Sequence, residues 1–136
     1  MKKLIVSACL IIASTKAHSQ LYIGVSDKAI LEYFPKAEVH KVKMGDSLAI
    51  LVLADDVKSV FWYDIHRQMV TSYSVNPIDR GLFIQLTDNL SKDCFIVKPE
   101  KEWSCKKQDF IIEVTEKPEE GPHHTIVNTL NYKLVK

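Results

Sequence analysis

Apolar and polar positions along this chain change period several times, and each change marks an element. Residues 1–20 open with Met1-Lys2-Lys3, run mostly apolar from Leu4 to Ala13, then turn small and polar from Ser14 to Gln20. A basic stretch, an apolar stretch and a small-residue stretch in that order make a secretory leader of bacterial type. The apolar run is about 10 residues, short of the roughly 20 that a membrane-spanning helix needs. Residues 1–20 are therefore expected to be a cleaved signal peptide, cut after Ala17, Ser19 or nearby. Residues 21–136 then form one small domain with no membrane span. Val6-Ser7-Ala8-Cys9 has the order of a lipoprotein acylation box, but Cys9 lies inside the apolar run, too near the start.

Leu21 to Val25 reads as a short strand or an arm. Ser26 then opens a helix as its N-cap. Val25 and Ile30 stand at the spacing of a hydrophobic staple across that cap. Ile30, Leu31 and Phe34 are expected on one face, and Pro35 stops the helix. Ala37 to Met44 mixes charged and apolar residues, the pattern of a half-exposed strand. After the Gly45-Asp46 turn, Leu48 to Ala54 is continuously apolar, as in a central strand covered on both faces. Ser59–Ile65 and Met69–Val75 are two further strands around His66-Arg67-Gln68, rich in aromatic and β-branched residues.

Asn76-Pro77 signals a second helix, with Asn76 as cap and Pro77 at the first helical position. Ile78, Leu82, Leu86 and Leu90, with Phe83, supply its apolar stripe, and it should end near Leu90 to Asp93. Strands follow at Cys94–Lys98, Phe110–Thr115 and Thr125–Val135. In the last of them Ile126, Asn128, Leu130, Tyr132 and Leu134 share a face. Glu116 to His124 has no apolar residue besides its prolines, which predicts an exposed, mobile loop. The fold class expected is α+β, with the order α-βββ(β)-α-βββ. It is a single antiparallel sheet of about six to seven strands with two helices packed on one face. The order hints at a duplicated helix-plus-three-strand unit, although the two halves share little residue identity.

Charge narrows the partners. The chain has 18 Lys and Arg against 17 Asp and Glu. Lys2, Lys3 and Lys16 leave with the leader, so residues 21–136 carry 15 cations against 17 anions, a net charge of −2. A near-neutral domain has no electrostatic drive toward nucleic acid or anionic lipid. Cys9 also leaves with the leader. Cys94 and Cys105 remain, flanking the turn Pro99-Glu100-Lys101-Glu102, and a disulfide between them is expected in an exporting compartment. Closing a loop of that size contributes roughly 2–3 kcal/mol.

Catalytic patterns are sparse. The sequence holds no Gly-rich phosphate loop, no Gly-x-Ser-x-Gly elbow and no His-Glu-x-x-His. Asp64 and His66, two apart on a strand, share a face, and a carboxylate can orient an imidazole for a hydrolase. The plainer reading is a solvated pair at a hairpin end. His123-His124 with Glu119 and Glu120 has the donor types of a zinc or copper site, but adjacent side chains rarely bind one metal and a loop is a poor scaffold. Asp55-Asp56 lacks the further oxygens of a calcium loop. No metal and no cofactor is therefore assigned. Asn89-Leu90-Ser91 matches a glycosylation sequon, a chance match beside a bacterial-type leader.

The aromatic residues are the distinctive feature. Phe61-Trp62-Tyr63 run consecutively on one strand, so Phe61 and Tyr63 point one way and Trp62 the other. One of these sets is expected on the sheet face the helices leave open, with Tyr73 and Trp103 extending a binding patch; the alternative is that all are core. The stretch Ile30 to Val42, a short helix ending at Phe34-Pro35 before a strand, resembles small secreted bacterial α+β domains of the PepSY-like and β-lactamase-inhibitor-like kind. That resemblance implies a binding module and carries over no site residue. The function expected is a periplasmic or secreted, non-catalytic module that binds another protein. A small-ligand or carbohydrate-binding domain is the alternative, and an exported hydrolase a more distant one.

Overall fold

The Ser26 side chain accepts the amide of Ala29 at 3.2 Å and caps helix α1 (Asp27–Tyr33). This is the cap that Ser26 predicts. Ile30 is buried and Phe34 nearly so, but Leu31 is exposed, because so short a helix turns one narrow stripe inward. The computed structural model describes residues 21–55, 57–77, 80–120 and 126–136, so the expected leader lies outside it.

Among the described residues the chain continues through β1 (Glu38–Met44), β2 (Ser47–Leu53), β3 (Val57–Asp64) and β4 (Met69–Pro77), then α2 (Arg80–Asp93). β5 (Phe95–Lys98), β6 (Glu102–Lys107), β7 (Phe110–Glu120) and β8 (Ile126–Leu134) follow. The strands form one antiparallel sheet in the order β1-β2-β3-β4-β8-β7-β6-β5, and both helices pack on one face of it. The fold is thus α+β as expected, with eight strands rather than six to seven. Two helix-plus-four-strand units meet at the β4–β8 seam, and the strand beyond those read from the sequence lies in the second unit.

Alternation explains the core. Ile50, Phe61, Tyr73, Tyr132, Val114 and Trp103 stand directly opposite one another across β2, β3, β4, β8, β7 and β6. All six are buried beneath the helices. At the seam the Tyr73 and Tyr132 rings stack with centroids 4.2 Å apart, and burial pushes both phenols well above their ordinary pKa. Leu86 and Leu90 of α2 complete the core, with Leu82 and Phe83 packed against it.

Several boundaries depart from the sequence pattern. β6 is an added strand. β4 runs through Pro77, which pairs with Val57, so Asn76 is a strand residue rather than a helix cap. β2 is buried on one face at Ile50 and Val52 and half-exposed on the other, because the second face of the sheet is uncovered. β7 extends through Glu120, pairing with β8, so Glu116–Glu120 is strand rather than loop. Residues 121–125 lie outside the described residues. Pro118 fits there because Glu116 sends its amide to Lys101 on the β6 side, and Pro118, two along, has no β6 partner to need an N–H.

Residues 21–25 form an arm rather than a strand. Gly24 donates to the Val70 carbonyl at 2.8 Å, and the Val70 amide donates to Val25 at 2.9 Å. They occupy the edge of β4 beyond Ser72–Val75, the segment that β8 pairs. Tyr22 and Ile23 are thereby buried, and the Lys107 ammonium holds the arm through the carbonyls of Leu21 (2.9 Å) and Ile23 (3.1 Å). Burial pushes the Lys107 pKa down. Gly24 adopts φ +87°, and an added Cβ would meet the Phe110 ring at 2.6 Å. Gly24→Ala is expected to destabilise the domain by about 1–3 kcal/mol, read as a lower urea midpoint with an unchanged slope.

Candidate functional site

The uncovered face of the sheet is where a site can form. The aromatic triplet divides across the sheet as period two requires. Phe61 is buried in the core, and Tyr63, on the same side, is half-buried and packed at its rim. Tyr73 and Trp103 are buried with Phe61. Trp62 alone of the five stands on the open face, 37% exposed. The five residues therefore do not make one surface, and the aromatic patch reduces to Trp62.

What surrounds Trp62 follows from register. Ala49 and Ser72 lie directly opposite it on β2 and β4, and Val42 lies beyond Ala49 on β1. The next row along carries His40, Leu51, Val60 and Ser74. Val42 and Met44 are more than half exposed. An apolar patch of Val42, Ala49, Leu51, Val60 and Trp62 thus covers three adjacent strands, with small residues flanking the indole.

Across the seam the face turns polar. Ser72, Ser74 and Asn76 on β4 and Thr129, Asn131 and Lys133 on β8 alternate with the buried Tyr73, Val75, Leu130 and Tyr132. Thr129 is buried, and among the described residues neither its hydroxyl nor the Asn131 side-chain NH₂ has a hydrogen-bond partner. Buried polar atoms of this kind are normally satisfied by protein, water or a bound group. Attention to aromatic residues misses this stripe. Its signal in the sequence is the strict alternation of Ser, Asn and Thr with apolar residues in 72–76 and 129–132.

The remaining candidates separate. Asp64 does not orient the His66 ring. Its carboxylate accepts the backbone amides of His66 (2.9 Å) and Arg67 (3.0 Å), closing the β3–β4 turn. The Arg67 amide bond is the main cause that holds this carboxyl below its ordinary pKa, with the His66 amide assisting. The His66 ring instead lies 3.3 Å from Asp46, both side chains largely in solvent. His40 meets Glu38 at 2.8 Å on the exposed β1 edge. Among the described residues no group of three His, Cys, Asp or Glu side chains is placed to hold a metal. His123, His124 and Asp56 lie outside those residues. In the sequon, Leu90 is buried and Ser91 accepts the Trp103 indole N–H, so it is part of α2 packing.

Cys94 and Cys105 are bonded, with Cα atoms 4.6 Å apart, and join the end of α2 to β6. A depression of about 60 Å³ lies between α2 and Tyr132, lined by Leu21, Leu86, Asn89, Leu90, Asp93 and Cys94. That is room for about two waters, far below the several hundred Å³ of a ligand cavity.

The chain matches no protein-family model, no curated protein and no solved structure. The fold and its open face therefore carry the functional reading by themselves.

Proposed function

We propose that the protein is an exported, non-catalytic module, periplasmic or secreted, that binds another protein through the open face of its sheet with Trp62 as anchor. The exposed indole set among Val42, Ala49, Leu51 and Val60 carries this reading. Half-exposed tryptophans on rigid sheets bury a large area at little entropic cost, as interface anchors do. The disulfide suits an oxidising compartment, and no described helix is long and apolar enough to cross a membrane. A partner is sought by pull-down from an envelope extract of the source cell, competed with free protein. Trp62→Ala is expected to weaken its binding about 30-fold or more, equivalent to about 2 kcal/mol. Ile84→Ala, at an exposed position on α2, should leave binding unchanged. Equal affinity for wild type, Trp62→Ala and Val60→Ser would remove the proposed surface.

The polar stripe of Ser72, Ser74, Asn76, Asn131 and Lys133 favours a second reading, a small-ligand or carbohydrate-binding domain that uses the same face. Native mass spectrometry against a panel of sugars and lipids separates the two. A retained ligand lost in Asn131→Ala supports this reading, and no adduct across the panel rejects it.

A further inference from the structure

The arm at residues 21–25 sits in its slot as a bound peptide would. The Tyr22 ring enters a socket walled by the rings of Tyr33, Phe34, Phe61 and Tyr73, with centroids 5.4, 5.7, 5.4 and 5.5 Å away. The arm's main chain is gripped from two sides. The Tyr73 hydroxyl accepts the Tyr22 amide at 3.2 Å, and Val70 of β4 exchanges bonds with Gly24 and Val25, as with an added strand. The Lys107 ammonium takes the two carbonyls that flank Tyr22, those of Leu21 and Ile23. All these groups hold main-chain atoms that any extended peptide carries. Sequence is read by the ring socket, by the site of fully buried Ile23, and at Gly24, where φ +87° and the Phe110 ring exclude a side chain. Lys107 lies on the core side of β6 with Trp103 and Cys105, where a desolvated ammonium is costly and an apolar side chain would serve the core as well or better. An ammonium in that place serves the recognition of carbonyl oxygens.

We infer that this slot is a peptide-recognition site and the arm its built-in competitor. Its ligand is an extended segment of a partner protein that reads aromatic, aliphatic, glycine, as Tyr22-Ile23-Gly24 does. The ring fills the socket, the carbonyls on either side of it bind Lys107, and the glycine passes Phe110 to pair with Val70. Because the arm is tethered, it acts at an effective concentration of about millimolar, so a partner segment enters when it binds more tightly or when the arm is loosened. The slot lies on the helix-covered side of the sheet, away from Trp62, and stands or falls independently of the partner proposed for the open face.

The probe is a fluorescent peptide of the sequence of residues 21–25, with a solubilising tail, and the readout is anisotropy. Tyr22→Ala, which empties the socket of the tethered chain, is expected to bind it at least about tenfold more tightly than the wild type does. Adding Lys107→Met to Tyr22→Ala should weaken that binding about tenfold, and a peptide with alanine in place of tyrosine should not bind. A folded Tyr22→Ala variant that binds no more tightly than the wild type overturns the inference, as does equal binding of the alanine peptide. Hydrogen exchange on the wild type decides the matter even if Tyr22→Ala does not fold. Several millimolar peptide should release the Gly24 amide from protection and leave those of Ile112 and Val114 protected. A Gly24 amide that stays protected overturns the inference. So does a wild type that forms dimers by exchanging arms, since a second copy is then the occupant.

Discussion

Trp103→Ala is expected to cost about 3–5 kcal/mol, while Trp62→Ala costs about 1 kcal/mol or less. Trp103 is fully buried between Val114 and Ile96 and sends its indole N–H to the Ser91 hydroxyl at 3.1 Å. Truncation leaves a cavity under α2 that the rigid sheet cannot close. Ser91 is exposed, so water can take the lost hydrogen bond, and the cavity carries the cost. Against a total stability of about 5–15 kcal/mol, that removes a large share. Urea midpoints measure both effects. The chain has two tryptophans, so single replacements also separate their fluorescence. Trp62→Phe should leave blue-shifted emission that iodide does not quench, and Trp103→Phe should leave red-shifted, quenchable emission. Equal costs, or the reverse order of quenching, would mean that the faces of the sheet are misassigned.

Opening the Cys94–Cys105 bond is expected to lower stability by about 2–3 kcal/mol, roughly 8–15 °C in Tm. The bond closes a loop with a sequence separation of 11, so its effect on the unfolded chain is modest. Its native role is to fix the end of α2 against β6, where Trp103 and Ser91 meet. The double Cys→Ala variant and the reduced wild type should lose similar stability, and both should keep the native far-UV spectrum. Loss of all structure on reduction would show that the bond supplies the fold rather than reinforcing it. No change would show that α2 docks without its help.

Local chemistry in the sequence reports the elements that local chemistry builds. Ser26 caps α1, Pro35 ends it, and Leu86 and Leu90 mark the buried stripe of α2, all within a few residues of the signal. β6 escapes because its core contribution is two residues, Trp103 and Cys105, among charges; Lys107, on the same side, reaches carbonyls of the arm instead of packing. Glu116–Glu120 reads as a loop for a related reason. Beyond Thr115 β6 no longer flanks β7, and a two-stranded ribbon with β8 needs no apolar face. For the candidate site, period two separates Trp62 from Phe61 and Tyr63. Which side the helices cover depends on contacts such as Phe34 against Phe61 and Ser91 against Trp103, made between distant segments. The polar stripe at Thr129 and Asn131 becomes a feature only when β8 is set beside β4, and no local pattern announces that pairing.

The seam shapes how the chain reaches this state. Among the described strands, every pairing but one joins neighbours in sequence, and such hairpins close on the microsecond scale. The β4–β8 pairing joins Tyr73 to Tyr132, 59 positions apart, so most of the loop-closure entropy is concentrated in that one encounter. The disulfide lies inside that loop and shortens it only by the separation of 11 that it closes, a small change in closure entropy. The arm at residues 21–25 must wait longer still, because its hydrogen bonds reach Val70 in one unit and Lys107 in the other. A chain delivered residue by residue therefore keeps the Ser72–Val75 edge of β4 without its β8 partner until the last residues arrive.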